Sequence, residues 1–169
     1  MKEKNKEQKL EDVRLSMLLS RYTFLRYMTS IEFFIYLYWL ISSLLSSNSW
    51  QAVFPFCLAF MMILINKEIF LLIKNNKKAS TKKLVKMLKI SMIILSISIV
   101  LTLTNYKLLF PYLNSKLFAI TYLLLSMLII VLSLHNATKI MENKDRVYKK
   151  YEEYKNKIKN INIERIEYV

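Results

Sequence analysis

Residues 113–135 read LNSKLFAITYLLLSMLIIVLSLH, and this stretch indicates the kind of fold that the whole chain adopts. Between Lys116 and His135 it contains no charged residue. A helix needs about 20 mostly apolar residues to cross the core of a bilayer. Three more apolar stretches precede it, at approximately 31–47, 51–73 and 87–105. Four such stretches predict an all-α, polytopic membrane protein in which four transmembrane helices form two hairpins.

The composition indicates that apolar and charged residues are segregated along the chain. Hydrophobic residues make up 54% of the sequence and the mean hydropathy is +0.27, yet the formal net charge is +14. Gly is absent, which excludes GxxxG packing faces, Gly-rich phosphate loops and Rossmann fingerprints. Close helix packing must therefore use Ser, Ala or Thr, as at Ser91 and Ser98. We interpret the abundance of Lys, Asn and Ile as a sign of a bacterial genome of low GC content.

The distribution of Lys and Arg predicts the orientation in the membrane. Basic residues are concentrated before the first apolar stretch, between the second and third, and after the fourth. The connector between the third and fourth stretches carries only Lys107 and Lys116. Because short basic segments remain in the cytoplasm, we expect both termini to be cytoplasmic, in a multi-pass protein of the cell membrane.

The chain is predicted to consist of a transmembrane domain and two helical extensions. Residues 1–28 are expected to form a cytoplasmic amphipathic helix, residues 29–135 the four spans, and residues 136–169 a cytoplasmic helical tail. Apolar residues of the tail follow a 4-3-4-3 spacing and form a packing seam: Val147, Tyr151, Tyr154, Ile158 and Ile161. This seam covers about two heptads. It is expected either to pack against the N-terminal helix or the membrane surface, or to mediate self-association.

Polar residues within the spans are candidate functional residues, because ionisable groups in a membrane are rare. They are expected near the cytoplasmic leaflet: Glu32, Asn66, Lys67, Glu68 and His135. Matched depth predicts an ion pair between Glu32 and Lys67. The cluster is interpreted either as structural, with charges that reach the nearby interface, or as a vestibule that binds a cation, a proton or a polar ligand.

The segment between the second and third spans is predicted to be a basic cytoplasmic loop. Its candidate residues are Lys77, Lys78, Lys82, Lys83 and Lys86. Such a cluster attracts anionic lipids, or acts only as a topology determinant. Nucleic acid is not an expected partner, since the loop has no interleaved aromatic residue and the chain has no recognisable nucleic-acid-binding module.

The sequence does not predict an enzyme. Cys57 and His135 are the one cysteine and the one histidine, and a Cys–His pair is a possible nucleophile and base. We expect them near opposite faces of the membrane, about 20 Å apart. No catalytic residue, metal ligand set or cofactor site is therefore proposed from the sequence.

Three classes of function are compatible with these features. The first is an oligomeric, pore-forming or membrane-perturbing effector or regulatory subunit. The second is an immunity or accessory protein that binds and blocks or anchors a partner. The third is a small transporter, although such a protein would need polar residues deeper in the membrane than the sequence offers. The expected partners are the lipid bilayer, anionic lipids at its cytoplasmic face, and a second copy or another protein.

Overall fold

The computed structural model describes residues 2–46, 49–74, 80–154 and 156. Four long helices account for most of the chain: α1 (Lys2–Leu44), α2 (Val53–Ile73), α3 (Thr81–Thr104) and α4 (Lys116–Met141). A shorter helical segment follows over residues 146–154. The described residues are 88% helix and contain no strand. The predicted all-α class is confirmed.

Helix α1 is a single helix of 43 residues. The predicted boundary at residue 28 is therefore not a break in the secondary structure. The reason is local, because the first helix-breaking residue of the chain is Pro55 and Gly is absent. At 1.5 Å per residue α1 is about 64 Å long, roughly twice the thickness of the bilayer core.

Helix α3 begins earlier than the apolar stretch that predicted it. Its first residue is Thr81 rather than Met87, so Lys82, Lys83 and Lys86 lie in its first two turns. The prediction of a loop was wrong for these three lysines, since Lys is a good helix former and nothing interrupts the helix there. Lys77 and Lys78 lie outside the described residues. Helix α4 likewise extends six residues beyond the predicted end at His135.

The four helices pack as a cyclic bundle. Helix α1 packs most extensively against α2 and α3 against α4, while α2–α3 and α1–α4 contacts close the ring. On every helix the buried side chains include a row at alternating intervals of three and four residues, a heptad spacing typical of left-handed bundles. On α4 they are Ala119, Leu123, Ser126, Ile130, Ser133, Ala137 and Ile140. Small and large residues largely alternate in this row, so Ser and Ala take the place that Gly often has between membrane helices.

Aromatic residues close one end of the bundle. The Trp39 indole of α1 donates a hydrogen bond to the Leu109 carbonyl at 3.3 Å. Its ring stacks on Phe110, with 4.7 Å between ring centroids. The Tyr122 hydroxyl of α4 donates to the Ile35 carbonyl at 2.6 Å. These contacts fix the connector between α3 and α4 against α1.

Three helical segments are long and apolar enough to cross a membrane: Trp50–Ile73, Thr81–Thr104 and Lys116–Tyr154. They cover most of the second, third and fourth predicted spans. The part of α1 that contains the first predicted span is less apolar overall, because Glu32, Trp39 and several Ser and Tyr residues lie within it.

Candidate functional site

Helix α2 ends, α3 begins and α4 ends at the same end of the bundle, which we call the basic end. An arginine of α1 is the most extensively bonded side chain there. The Arg21 guanidinium forms a two-point ion pair with Asp145, with Nη2–Oδ1 at 2.6 Å and Nε–Oδ2 at 3.0 Å. The side chains of Arg21 and Asp145 are only 7% and 12% exposed. This geometry is typical of strong charge-assisted pairs.

The same guanidinium closes the end of α4. Its Nη2 donates to the Ile140 carbonyl and to the Asn143 side-chain oxygen, both at 2.9 Å. The guanidinium also lies over the ring of Tyr148, 5.0 Å from its centroid. We call Arg21 with its partners the Arg21 clamp. It joins the middle of α1, the last turn of α4 and the start of the segment 146–154.

Local sequence explains why the chain turns at this point. Asn143 has a positive φ of 55°, a conformation that Asn tolerates better than most residues and that Gly would otherwise take. The Lys144 amide bonds to the Lys139 carbonyl at 3.0 Å and the Asn143 amide to the Ile140 carbonyl at 3.1 Å, the hydrogen bonds of a Schellman turn. The carboxylate of Asp145 then caps the next helical segment by accepting from the Tyr148 amide at 3.1 Å.

Glu68 has a comparable role between α2 and α3. One carboxylate oxygen accepts from the Ser80 amide at 3.0 Å and the other from the Lys83 ammonium at 3.1 Å. The Glu68 side chain is 4% exposed, whereas Lys83 is 55% exposed. A carboxylate at the N-terminus of a helix is stabilised by the unpaired amides and the helix dipole there. Glu68 therefore connects the end of α2 to the start of α3.

Asn66 connects α2 to α1. The Thr29 hydroxyl donates to the Asn66 side-chain oxygen at 2.9 Å, and the Asn66 amide group donates to the Met62 carbonyl at 3.0 Å. Lys67, the next residue, is exposed. It lies on the face of α2 opposite the core residues Ile65 and Ile69, because successive residues are turned by about 100° around a helix.

Glu32 is buried on α1, one helical turn before the buried Tyr36. It is 1% exposed, and neither of its carboxyl oxygens forms a hydrogen bond. The predicted ion pair between Glu32 and Lys67 is therefore wrong: the two residues match in depth, but Lys67 faces away from the core. Among the described residues of α1 and α4, four other buried oxygens also have no hydrogen-bond partner, those of Tyr36, Ser43, Ser126 and Ser133. Such groups are uncommon in native interiors.

His135 is exposed and lines a cavity of about 510 Å³ at the basic end. We call this cavity the basic groove. It is lined by Phe24, Leu132, His135, Asn136, Lys139, Lys144, Asp145, Arg146 and Lys149. The structure thus separates the predicted polar cluster into an α1–α2 contact, an α2–α3 contact, a buried acid and a groove residue.

An exposed ion pair lies in the turn after α4. The Lys144 ammonium is 2.7 Å from the Glu142 carboxylate. This hydrogen bond lowers the pKa of the Glu142 carboxyl and raises the pKa of the Lys144 ammonium. Solvent-exposed ion pairs such as this one contribute little to the stability of a protein.

The predicted tail seam is only partly buried. Val147 and Tyr151 are half-buried, and Tyr154 is exposed. Ile158 and Ile161 lie outside the described residues. The buried contact of the tail with α1 is instead made through Asp145 and Tyr148, which sequence reasoning did not identify. Asp145 could have been recognised from the sequence, because Asp is a favoured helix N-cap residue whose carboxylate accepts a hydrogen bond from the amide three residues later.

Among the residues that the structure describes, no group of three or more His, Cys, Asp or Glu side chains is arranged to hold a metal ion. Cys57 is exposed in the second turn of α2, far along that helix from the basic end where His135 lies. Comparisons with protein families, with curated proteins and with solved structures found no match to this chain.

Proposed function

We propose that this chain is a non-enzymatic accessory or regulatory protein of a bacterial cell membrane. Its four-helix bundle spans the bilayer with both termini in the cytoplasm, and its cytoplasmic helices bind a partner. The lysines support this orientation. They are concentrated in the first turns of α3 and at the end of α4, which lie together at the basic end, and short basic segments stay in the cytoplasm.

The outward surface of α1 supports a fourth span. From Tyr27 to Leu45 the one charged residue is Glu32, and its side chain points into the bundle. The exposed residues of this segment are apolar or aromatic, and they include Ile31, Phe34 and Ile41. These 19 residues are about 28 Å long, close to the thickness of a bilayer core.

The surface of the bundle is the observation that carries the accessory role. Most outward positions of the apolar segments are occupied by large hydrophobic residues on all four helices; the exceptions along the helices include Lys67 and Cys57 on α2, Lys89 and Thr104 on α3, and Thr121 on α4. The Thr121 hydroxyl is bonded to the Leu117 carbonyl of its own helix. Such a surface suits lipid or an apolar partner helix, whereas a water-filled pore between protomers needs a polar lining. The interior is filled by side chains such as Met62 and Leu95.

We call the part of α1 before Arg21, residues 2–20, the projecting half, and it supports the proposal of a protein partner. Leu15 and Leu19 are 55% and 43% exposed and lie one turn apart on the same face. They precede the Arg21 clamp, so this part of α1 extends beyond the end of α4. An amphipathic helix with apolar residues at i and i+4 is a common element of helix-in-groove recognition.

One observation favours the pore-forming or membrane-perturbing effector as a second candidate. Tyr154 is 46% exposed and Tyr151 half-buried on the tail, so an apolar surface remains available for self-association. In that case the protein would perturb the membrane only as an assembly of several protomers, through contacts that a single protomer does not form.

Membrane potential separates the two candidates. Induced expression of the wild-type chain in bacterial cells should leave a potential-sensitive dye signal and the growth rate unchanged if the protein is an accessory subunit. Depolarisation that disappears in the Tyr151→Asp/Tyr154→Asp variant, but persists in a matched Glu152→Ala/Glu153→Ala control, would contradict the accessory role and support the effector.

A further inference from the structure

We propose that the basic groove binds the phosphate of an anionic phospholipid headgroup, with Lys139, Arg146 and Lys149 as its cationic ligands. The inference rests on the proposed membrane location of the bundle, but it does not depend on the identity of the protein partner.

The charges of the groove leave three cations available for a ligand. Asp145 is the acidic residue of its lining, and both of its oxygens are bonded to Arg21 at 2.6 and 3.0 Å. Lys144 is paired with Glu142 at 2.7 Å. Lys139, Arg146 and Lys149 are exposed and form no ion pair with another described residue. The groove therefore presents an excess of positive charge to which a phosphate is complementary.

The Arg21 clamp is what places these cations together. Lys139 lies in the last turn of α4, whereas Arg146 and Lys149 belong to the segment after the turn. The turn at Asn143 and the bond between Arg21 and Asp145 hold that segment against α1, on the same side as Lys139. A binding site made from two consecutive helices is thus held open by a buried ion pair that takes no part in binding.

The polarity gradient of the groove matches that of a lipid. Leu132 and Phe24 are 43% and 41% exposed on its apolar side, and Leu132 belongs to the apolar surface of α4. Lys139 is seven residues further along the helix, a rise of about 10 Å. The headgroup region of one leaflet is roughly 5–8 Å thick. A phospholipid whose acyl chains lie along Leu132 would therefore bring its phosphate to the cations.

This gradient distinguishes a lipid from a free phosphate ester. A soluble phosphate would use only the cations, whereas a lipid also covers Leu132 and Phe24. The volume of about 510 Å³ lies within the range of small-ligand pockets and is larger than a phosphate needs.

Native mass spectrometry of the full chain in detergent tests this site. Titration with phosphatidylglycerol should give a retained lipid adduct, and phosphatidylcholine should bind at least tenfold more weakly. The groove variant Lys139→Gln/Arg146→Gln/Lys149→Gln should lose about 100-fold in affinity for phosphatidylglycerol, since each basic residue near a membrane surface contributes about 1 kcal/mol and 1.4 kcal/mol is tenfold.

A matched control removes the same charge elsewhere at the basic end. Lys82, Lys86 and Lys89 are exposed on α3 and do not line the groove. The variant Lys82→Gln/Lys86→Gln/Lys89→Gln should bind phosphatidylglycerol like the wild type. Equal losses in the two variants would overturn the proposal in favour of diffuse electrostatic attraction. Circular dichroism and thermal unfolding of both variants verify that each remains folded.

Competition identifies the source of the phosphate. Inorganic phosphate and glycerol 3-phosphate at millimolar concentration should not displace the lipid from the wild-type groove. If either compound displaced the lipid and bound with an affinity equal to that of the lipid, the lipid assignment would be overturned. Equal binding of phosphatidylglycerol and phosphatidylcholine would also overturn it. Each of these results is independent of the membrane-potential experiment, so failure of the site and failure of the accessory role can be distinguished.

Discussion

At the scale of single residues, two buried glutamates show how differently the same side chain is used. Glu68 accepts hydrogen bonds from a backbone amide and an ammonium group, while Glu32 accepts none. Both are among the intramembrane polar residues that the sequence predicts as candidate functional residues. Their partners were not predictable from depth alone, because depth says nothing about which side of a helix a residue occupies. Helical phase separates Lys67 from Glu32 and brings Asn66 to Thr29.

This contrast predicts that the same conservative substitution has a much larger effect on stability at Glu68 than at Glu32. Glu68→Gln should lower the free energy of unfolding by about 1–2 kcal/mol, because it removes a charge from the N-terminus of α3 and a pair with a half-exposed lysine. Glu32→Gln should change it by less than about 0.5 kcal/mol, since no hydrogen bond to Glu32 is lost. Equilibrium unfolding in mixed micelles measures both values. A larger loss for Glu32→Gln would mean that Glu32 has a partner, such as a bound cation.

At the scale of helices and turns, the Arg21 clamp is the hydrogen-bonded contact between α1 and the described part of the tail. Spacing in the sequence predicted a helical tail, with packing against the N-terminal helix as one of several alternatives. It did not indicate Arg21, which is one of many basic residues before the first span. Its role depends on the turn at Asn143, and that turn is hard to recognise in a chain where Asn replaces the usual Gly.

The clamp predicts a non-additive response to mutation. Arg21→Ala should lower the free energy of unfolding by about 3 kcal/mol, because it leaves Asp145 and the end of α4 without their partner. It should also speed amide hydrogen exchange in residues 142–154. The double variant Arg21→Ala/Asp145→Ala should lose clearly less than the sum of the single variants. Arg26→Ala, an exposed arginine on the same helix, is the control and should change stability by less than about 0.5 kcal/mol. Strict additivity would mean that Arg21 and Asp145 do not interact.

At the scale of the whole molecule, hydropathy identifies three of the helices and understates α1. Several of the polar and aromatic residues that lower its hydropathy are ones that the bundle buries: Thr29, Glu32, Tyr36, Trp39 and Ser43. Lipid would meet the intervening residues, such as Ile31 and Phe34. A window averaged over all sides of the helix cannot separate these two faces, whereas the heptad spacing can. The buried 3-4 pattern thus explains both why α1 fits the bundle and why its composition is atypical.

The number of spans determines on which side of the membrane the N-terminus lies, and the single cysteine makes this measurable. In a Cys57→Ser background, one cysteine is introduced at Ser16, Asn114 or Glu152, all of them exposed positions. A membrane-impermeant maleimide should label only the Asn114→Cys protein in intact cells, and all three after permeabilisation, because basic segments stay in the cytoplasm. Labelling of Ser16→Cys but not of Glu152→Cys in intact cells would show that α1 does not cross. Labelling of Ser16→Cys and Glu152→Cys without Asn114→Cys would reverse the orientation. If the protein has four spans in the proposed orientation, the projecting half of α1, the tail and the basic groove all face the cytoplasm, where both a partner helix and anionic lipid would be accessible to them.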